Sequence, residues 1–226
     1  MAEQDHPTTA SAYRLAELLG DLPHPDDFGA EAYELVERTR DLVAAVSAND
    51  ADPATRAEIA ATLAEIADRL RARPRNPHIV VARGHDGTVY NLTQAGSGLL
   101  NPHAPRLVFS PVPPPAPAAP PTPVEMRATV TLTEAHSGPP QRAHGGVVAT
   151  ILDEALGTAA TRSGATGLTA GINIRYKTGV PLHTPLEVTC RYSHTEGRKH
   201  FATGEIRAGD TVCATAEAVF IAEPRP

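Results

Sequence analysis

The stretch Ala143–Gly157, AHGGVVATILDEALG, decides how the rest of the chain is read. Val147, Val148, Ile151, Leu152, Ala155, Leu156 and Ala159 make the segment Gly146–Thr161 apolar almost all round. A helix without a broad polar face is a buried helix. Asp153 interrupts it, and an unpaired carboxylate is costly to bury, so it must be paired, shifted in pKa, or in use. Immediately upstream, His144-Gly145-Gly146 stands where the helix begins. First-turn amides lack partners within a helix and carry partial positive charge, which suits a developing oxyanion. Asp153 lies eight residues beyond Gly145, about 12 Å along one helix. That is too far for both to serve one small reacting group. Two copies packed antiparallel would bring Asp153 of one against Gly145 of the other. The bland alternatives are ordinary turn glycines and a solvated helix acid. Glu154, about 100° away around the helix, is the competing base.

Strand patterns flank this helix. Val124, Met126, Ala128, Val130 and Leu132 alternate with polar neighbours, which predicts a half-buried strand. Downstream, Leu168, Ala170, Ile172, Ile174 and Tyr176 alternate with Thr169, Gly171, Asn173, Arg175 and Lys177. Further strands are expected at Leu186–Tyr192, His200–Arg207 and Val212–Ile221. Turn signals stand at Gly179-Val180-Pro181, Glu196-Gly197-Arg198 and Ala208-Gly209-Asp210. A strand, a buried helix and four more strands predict an α+β fold, a long helix wrapped by a curved antiparallel sheet.

The N-terminal part reads differently. Residues 11–73 carry helical stripes: Leu15, Leu18, Leu19 and Leu22 up to Pro23, then Leu35, Thr39, Leu42 and Val46, then Ile59, Leu63, Ile66 and Leu70. Asp52 and Pro53 suit the start of the third helix, with Arg69, Arg71 and Arg73 at its other end. These stripes need a partner: one another, the C-terminal half, or a second subunit. A short strand is expected at His78–Ala82, with a turn at His85-Asp86-Gly87. Residues 111–123, PVPPPAPAAPPTP, have too few backbone donors for a ladder and read as an extended spacer. The layout is thus a helical extension (1–75), an irregular proline-rich connection (76–123) and a sheet-and-helix domain (124–226), whose first strand begins as early as 105.

Composition narrows the function. The 226 residues carry 20 Lys+Arg against 26 Asp+Glu, a net charge of −6 with no basic run, which argues against nucleic acid and anionic membrane partners. No apolar run approaches a membrane span, and MAEQDHPTTA has no signal-peptide pattern, so a cytoplasmic protein is expected. Two cysteines, Cys190 and Cys213, exclude a disulfide scaffold and read as small apolar core groups. The ten histidines show no ligand spacing, and no metal is expected.

AHGGVVATILDEALG and LTAGINIRYKTGVP resemble the signature of hotdog-fold acyl-CoA thioesterases, in the phenylacetate-pathway-type, hydroxybenzoyl-CoA thioesterase-like branch. The resemblance covers about Leu107–Glu223 and leaves residues 1–100 unmatched. It implies a homodimer, or a dimer of dimers, that hydrolyses acyl-CoA thioesters without a cofactor. Asp153 matches the catalytic carboxylate, a general base or nucleophile. Gly145 matches the amide that polarises the thioester carbonyl, Thr169 the hydroxyl that orients water, and His144 the organiser of the turn. Some relatives place Asn or Gln where this chain has Gly138; Gln141 or His136 would have to substitute. Gly146, Gln141 and Asn173 are candidate substrate-binding residues. Arg175 and Lys177, with Arg191, Arg198 and Lys199, are candidate partners for the coenzyme A phosphates. The acyl chain is expected between subunits, along Val148, Leu152 and Ile174. The rivals are a non-catalytic acyl-CoA-binding module and a hotdog dehydratase or hydratase.

Overall fold

A computed structural model describes residues 20–112 and 125–222. After a 3-10 turn at Pro25–Phe28 come α1 (Gly29–Ala48), α2 (Pro53–Arg71), β1 (Val81–Arg83), β2 (Val89–Asn91) and β3 (Ser110–Pro111). Then follow β4 (Glu125–Thr131), α3 (Gly145–Arg162), β5 (Leu168–Tyr176), β6 (Pro185–Glu196), β7 (Lys199–Ala208) and β8 (Thr211–Ile221). Leu15, Leu18, Leu19 and most of the proline-rich stretch lie outside the described residues, and Leu22 sits in irregular chain.

Six antiparallel strands form one sheet in the order β3-β4-β6-β7-β8-β5. α3 lies against one face of it. Met126, Ala128 and Val130 from β4 point at the helix, with Leu186, Val188 and Cys190 from β6 and Ala214, Ala216, Ala218 and Phe220 from β8. From α3 come Val148, Ile151, Leu152, Ala155, Leu156, Ala159 and Ala160, all buried. Each large aliphatic side chain so buried contributes about 1.5–3 kcal/mol. This is the hotdog arrangement that the sequence predicts. The hairpin β6–β7 turns through Gly197 at φ 60° and β7–β8 through Gly209 at φ 55°, a left-handed backbone that glycine adopts without penalty.

Two expectations need correction. The first strand does not begin near 105: pairing starts with β3 at Ser110, although Leu107 already enters the main core. The alternation over β5 also breaks. Thr169 pairs with Phe220 and Gly171 with Val219, so Ala170 has no cross-strand partner. The extra residue shifts the parity. Thr169, not Ala170, shares the inner face with Ile172, and Leu168 is 53% exposed.

A second, smaller core joins the β1–β2 hairpin to its surroundings: Val80, Ala82 and Leu92, with Phe28, Tyr90, Leu99 and Leu100 packed on it. α1 buries Val36 and docks on the loop after β2 through Arg40, whose guanidinium donates to the carbonyls of Ala104, Asn101 and Gly98 and pairs with Glu37 at 2.7 Å. The Asp52 carboxylate accepts from the amides of Ala54 and Thr55 and caps α2, with Pro53 at its first position. Yet α2 buries no side chain, and Leu35, Leu42, Val46, Ile59, Ile66 and Leu70 remain exposed. Among the described residues, the stripes of α1 and α2 do not find the cover that their spacing calls for. Among the described residues no helix is long and apolar enough to cross a membrane.

Candidate active site

The start of α3 is built by a tight loop. The His144 amide donates to the His136 carbonyl at 2.9 Å, and the Ala143 amide to the Val180 carbonyl at 2.9 Å. His144 is itself the helix cap: its Nδ1 accepts the Gly146 amide at 3.0 Å. The ring is therefore committed to the turn, and so is the Gly146 amide. The Gly145 amide has no hydrogen-bond partner among the described residues, as its first-turn position requires. The Tyr176 hydroxyl donates to the Gly145 carbonyl at 2.9 Å and holds this glycine against the end of β5.

Gly138, six residues before His144, is pressed onto the backbone of His144. A Cβ there would lie 2.7 Å from the His144 Cα. Gln141 is exposed and takes φ 61° at the loop's sharpest point. The His136 Nδ1 accepts from the Thr133 amide at 3.1 Å, and burial, followed by the neighbouring His103, holds its pKa below the usual imidazole range. His136 fastens the loop as a neutral ring.

Two turns along α3, the Thr169 hydroxyl donates to Asp153 Oδ1 at 2.9 Å. The β5 irregularity makes this contact possible, since unbroken alternation would aim Thr169 at the opposite face. Asp153 is half-buried and Thr169 exposed, so the pair stands at the rim of the fold rather than inside it. Glu154 is placed otherwise. Its carboxylate is held by Gln94 Nε2 and Ser97, both from the loop after β2. Burial, with a smaller contribution from the adjacent Asp153 charge, raises its pKa above the usual carboxylate range. Packing here is close, for a Cβ on Gly96 would lie 2.4 Å from Glu154 Oε2. Glu154 therefore serves as an anchor, and Asp153 is left as the accessible acid.

Asp153, Glu154 and Thr169 line a cavity of about 390 Å³ between α3 and the β1–β2 lobe. Its apolar wall comes from Leu99, Leu107, Phe109 and Phe220. Val148 and Leu152, expected along the acyl chain, are instead fully buried in the main core. Asn173 and Arg175 are also on the far side. They line a groove of about 320 Å³ on the outer face of the sheet, with Glu125, Arg191, Glu205 and Glu217. Lys177 is exposed just past β5. Within one chain the structure thus joins Asp153 to Thr169 and His144 to Gly146, with Gly145 between them. It leaves these two pairs at separate points of one helix and sets Asn173 and Arg175 apart from both. Tyr176, Gln94 and Ser97 were not among the residues singled out from sequence. Tyr176 had a signal, because it shares the parity of Ile172 and Ile174. Gln94 and Ser97 had none.

Among the described residues, one group has the spacing to hold a metal ion. His24, Asp26 and His85 offer ligand atoms within 4.8 Å of one another, and the two imidazoles stack at 3.9 Å. They do not line the Asp153 cavity.

Part of the chain is similar to known proteins. A family profile described as Thioesterase superfamily matches residues 141–217. The acyl-coenzyme A thioesterase THEM4 of Mus musculus is 40% identical over 86 residues, 37% of this chain and 37% of that one. The protein of the same name from Bos taurus is 36% identical over 86 residues, 37% of this chain and 35% of that one. The chain thus spans little more than a third of the length of these curated relatives. A crystal structure titled as a thioesterase superfamily protein is 29% identical with a TM-score of 0.70, covering 89% of this chain and 93% of that one.

Proposed function

We propose, from the premise that residues 125–221 form a hotdog domain of the thioesterase superfamily, that the protein hydrolyses acyl-CoA thioesters to free acid and coenzyme A. The observation that carries this reading is the Thr169 hydroxyl on the Asp153 carboxylate, at the mouth of a part-apolar cavity. Asp153 takes a proton from water as the water oxygen attacks the thioester carbonyl. Thr169 holds the carboxylate in the orientation that receives it. The carbonyl oxygen gains charge and is met by the amide of Gly145 of the partner subunit. Collapse of the tetrahedral intermediate breaks the carbon–sulfur bond, and the thiolate leaves with the proton that Asp153 took.

Dimerisation is part of this proposal. Among the described residues β5 ends the sheet with one strand edge unpaired, and residues 168–171 in it are exposed. Such an edge is a ready pairing surface. Two-fold pairing there would bring an α3 start toward the Asp153 of the other copy, closing a gap of about 12 Å that one helix cannot close. The chain works in the cytoplasm in this reading, where Cys190 and Cys213, both free and buried, stay reduced. Burial pushes the Cys190 thiol up to about 12, so it is no nucleophile.

The test is thioester hydrolysis by the wild type and Asp153→Asn, monitored through released thiol. Loss of a base from the transition state lowers kcat by about 10²–10⁴-fold. An Asp153→Asn protein that folds normally and keeps most of its activity would remove Asp153 from the mechanism. Tight acyl-CoA binding without turnover by the wild type would leave a binding module instead.

A further inference from the structure

The Asp153 cavity runs along α3 toward its C-terminal end. Its helix wall continues from Asp153 through Gly157 and Thr161 to Arg162. The opposite wall is the lobe of residues 88–109, which comes from outside the matched family region. That lobe, with the β1–β2 turn before it, is fastened to α3 at both ends of the cavity. Gln94 and Ser97 hold Glu154 at one end, and Asp86 pairs with Arg162 at 3.1 Å at the other. Between the two ties the lining is mainly apolar, with Leu99, Leu107, Phe109 and Phe220.

Gly157 stands midway. Glycine is the poorest helix former after proline, and here it occupies a helix interior. Nothing crowds it: a Cβ would meet only Phe220, at 3.7 Å, an ordinary contact. Neither backbone conformation nor close packing calls for glycine at this position. What its missing side chain leaves is open space in the cavity.

We propose that this cavity is an acyl chamber of fixed length, walled by the 88–109 lobe, kept open at Gly157 and bounded at its far end by Arg162, which Asp86 holds, so that the enzyme selects medium-chain acyl-CoA thioesters. This rests on the thioesterase reading. From Asp153 to Arg162 the helix rises about 13 Å. An extended chain advances about 1.2 Å per bond, so about ten carbons fill that length. The volume of about 390 Å³ lies near the lower end of ligand pockets, enough for one acyl group and too small for the whole thioester. A longer chain would have to displace Arg162 from Asp86.

Two readouts on the full chain separate this proposal from the activity itself. Binding of non-hydrolysable S-alkyl-CoA thioethers is measured by calorimetry across four to eighteen carbons, roughly the range that brackets the chamber. Hydrolysis of the matching thioesters is measured in parallel. The wild type is expected to bind chains of about eight to twelve carbons at least tenfold more tightly than those of sixteen. Gly157→Ala narrows the chamber without opposing the helix and moves the optimum to shorter chains; Gly157→Leu moves it further. Arg162→Ala opens the far end and raises long-chain affinity severalfold. A flat profile in the wild type, or an optimum unmoved in folded Gly157→Ala and Arg162→Ala proteins, overturns the chamber. Length-selective binding that shifts as described, with no thioester hydrolysed at any length, upholds the chamber and overturns the hydrolase.

Discussion

α2 and α3 are nearly the same length, 19 and 18 residues, and both carry Ile and Leu at helical spacing. α3 buries seven side chains and α2 buries none. The difference is not in the helices' own periodicity. It lies in what surrounds them: α3 is wrapped by the mainly apolar inner face of a sheet, while the described residues bury no side chain of α2. An apolar stripe states a need for cover, and only the rest of the fold says whether the need is met.

Three measurements would break or sharpen that contrast. The largest effect is expected at Leu152, which is fully buried in α3. Leu152→Ala should cost about 2–5 kcal/mol in urea unfolding, because the sheet around it can only partly collapse onto the cavity. A cost under 1 kcal/mol would mean that the α3 core is looser than its burial shows.

Next comes the polar flank of α3. The Glu154 carboxyl has a raised pKa, chiefly through burial and then through Asp153. In the folded protein it holds a proton that the unfolded chain has already released. Its contribution to stability is therefore lost as pH rises from the unfolded value near 4.3 toward the folded one. Glu154→Gln, which can still accept from Gln94, should gain thermal stability relative to wild type on going from pH 4 to pH 8. A difference between the two proteins that does not change with pH would show that Glu154 titrates as an ordinary exposed acid.

The smallest effect is expected in the open helix. Ile66→Ala, at a position 43% exposed, should change stability by no more than about 0.5 kcal/mol. A cost comparable to that of Leu152→Ala, growing with protein concentration, would reveal that α2 is covered in solution by another copy.

Much of the C-terminal fold was legible because its signals are local. The alternation of β4, the greasy run of α3 and the glycines at the β6–β7 and β7–β8 turns each lie within a dozen residues, and each was met by the structure. Asn173 and Arg175 carry a local signal of their own. They alternate with Ile172 and Ile174, so parity already set them on the face away from α3. Thr169 is the reverse case. Its parity argued against any contact with Asp153, and the contact exists because pairing with β8 skips Ala170. The tie between Gln94 and Glu154 spans 60 residues and had no sequence signal.

The amino-acid order alone determined the buried helix, its odd acid, the glycine start and the strand periods other than that of β5, since each depends on neighbours a few residues apart. Tertiary structure decided which carboxylate is free and which is clamped, which way Thr169 points, and where an acyl group finds room. Those outcomes depend on registers and loop contacts between distant segments, and a residue's spacing along the chain does not record what the fold brings to its side.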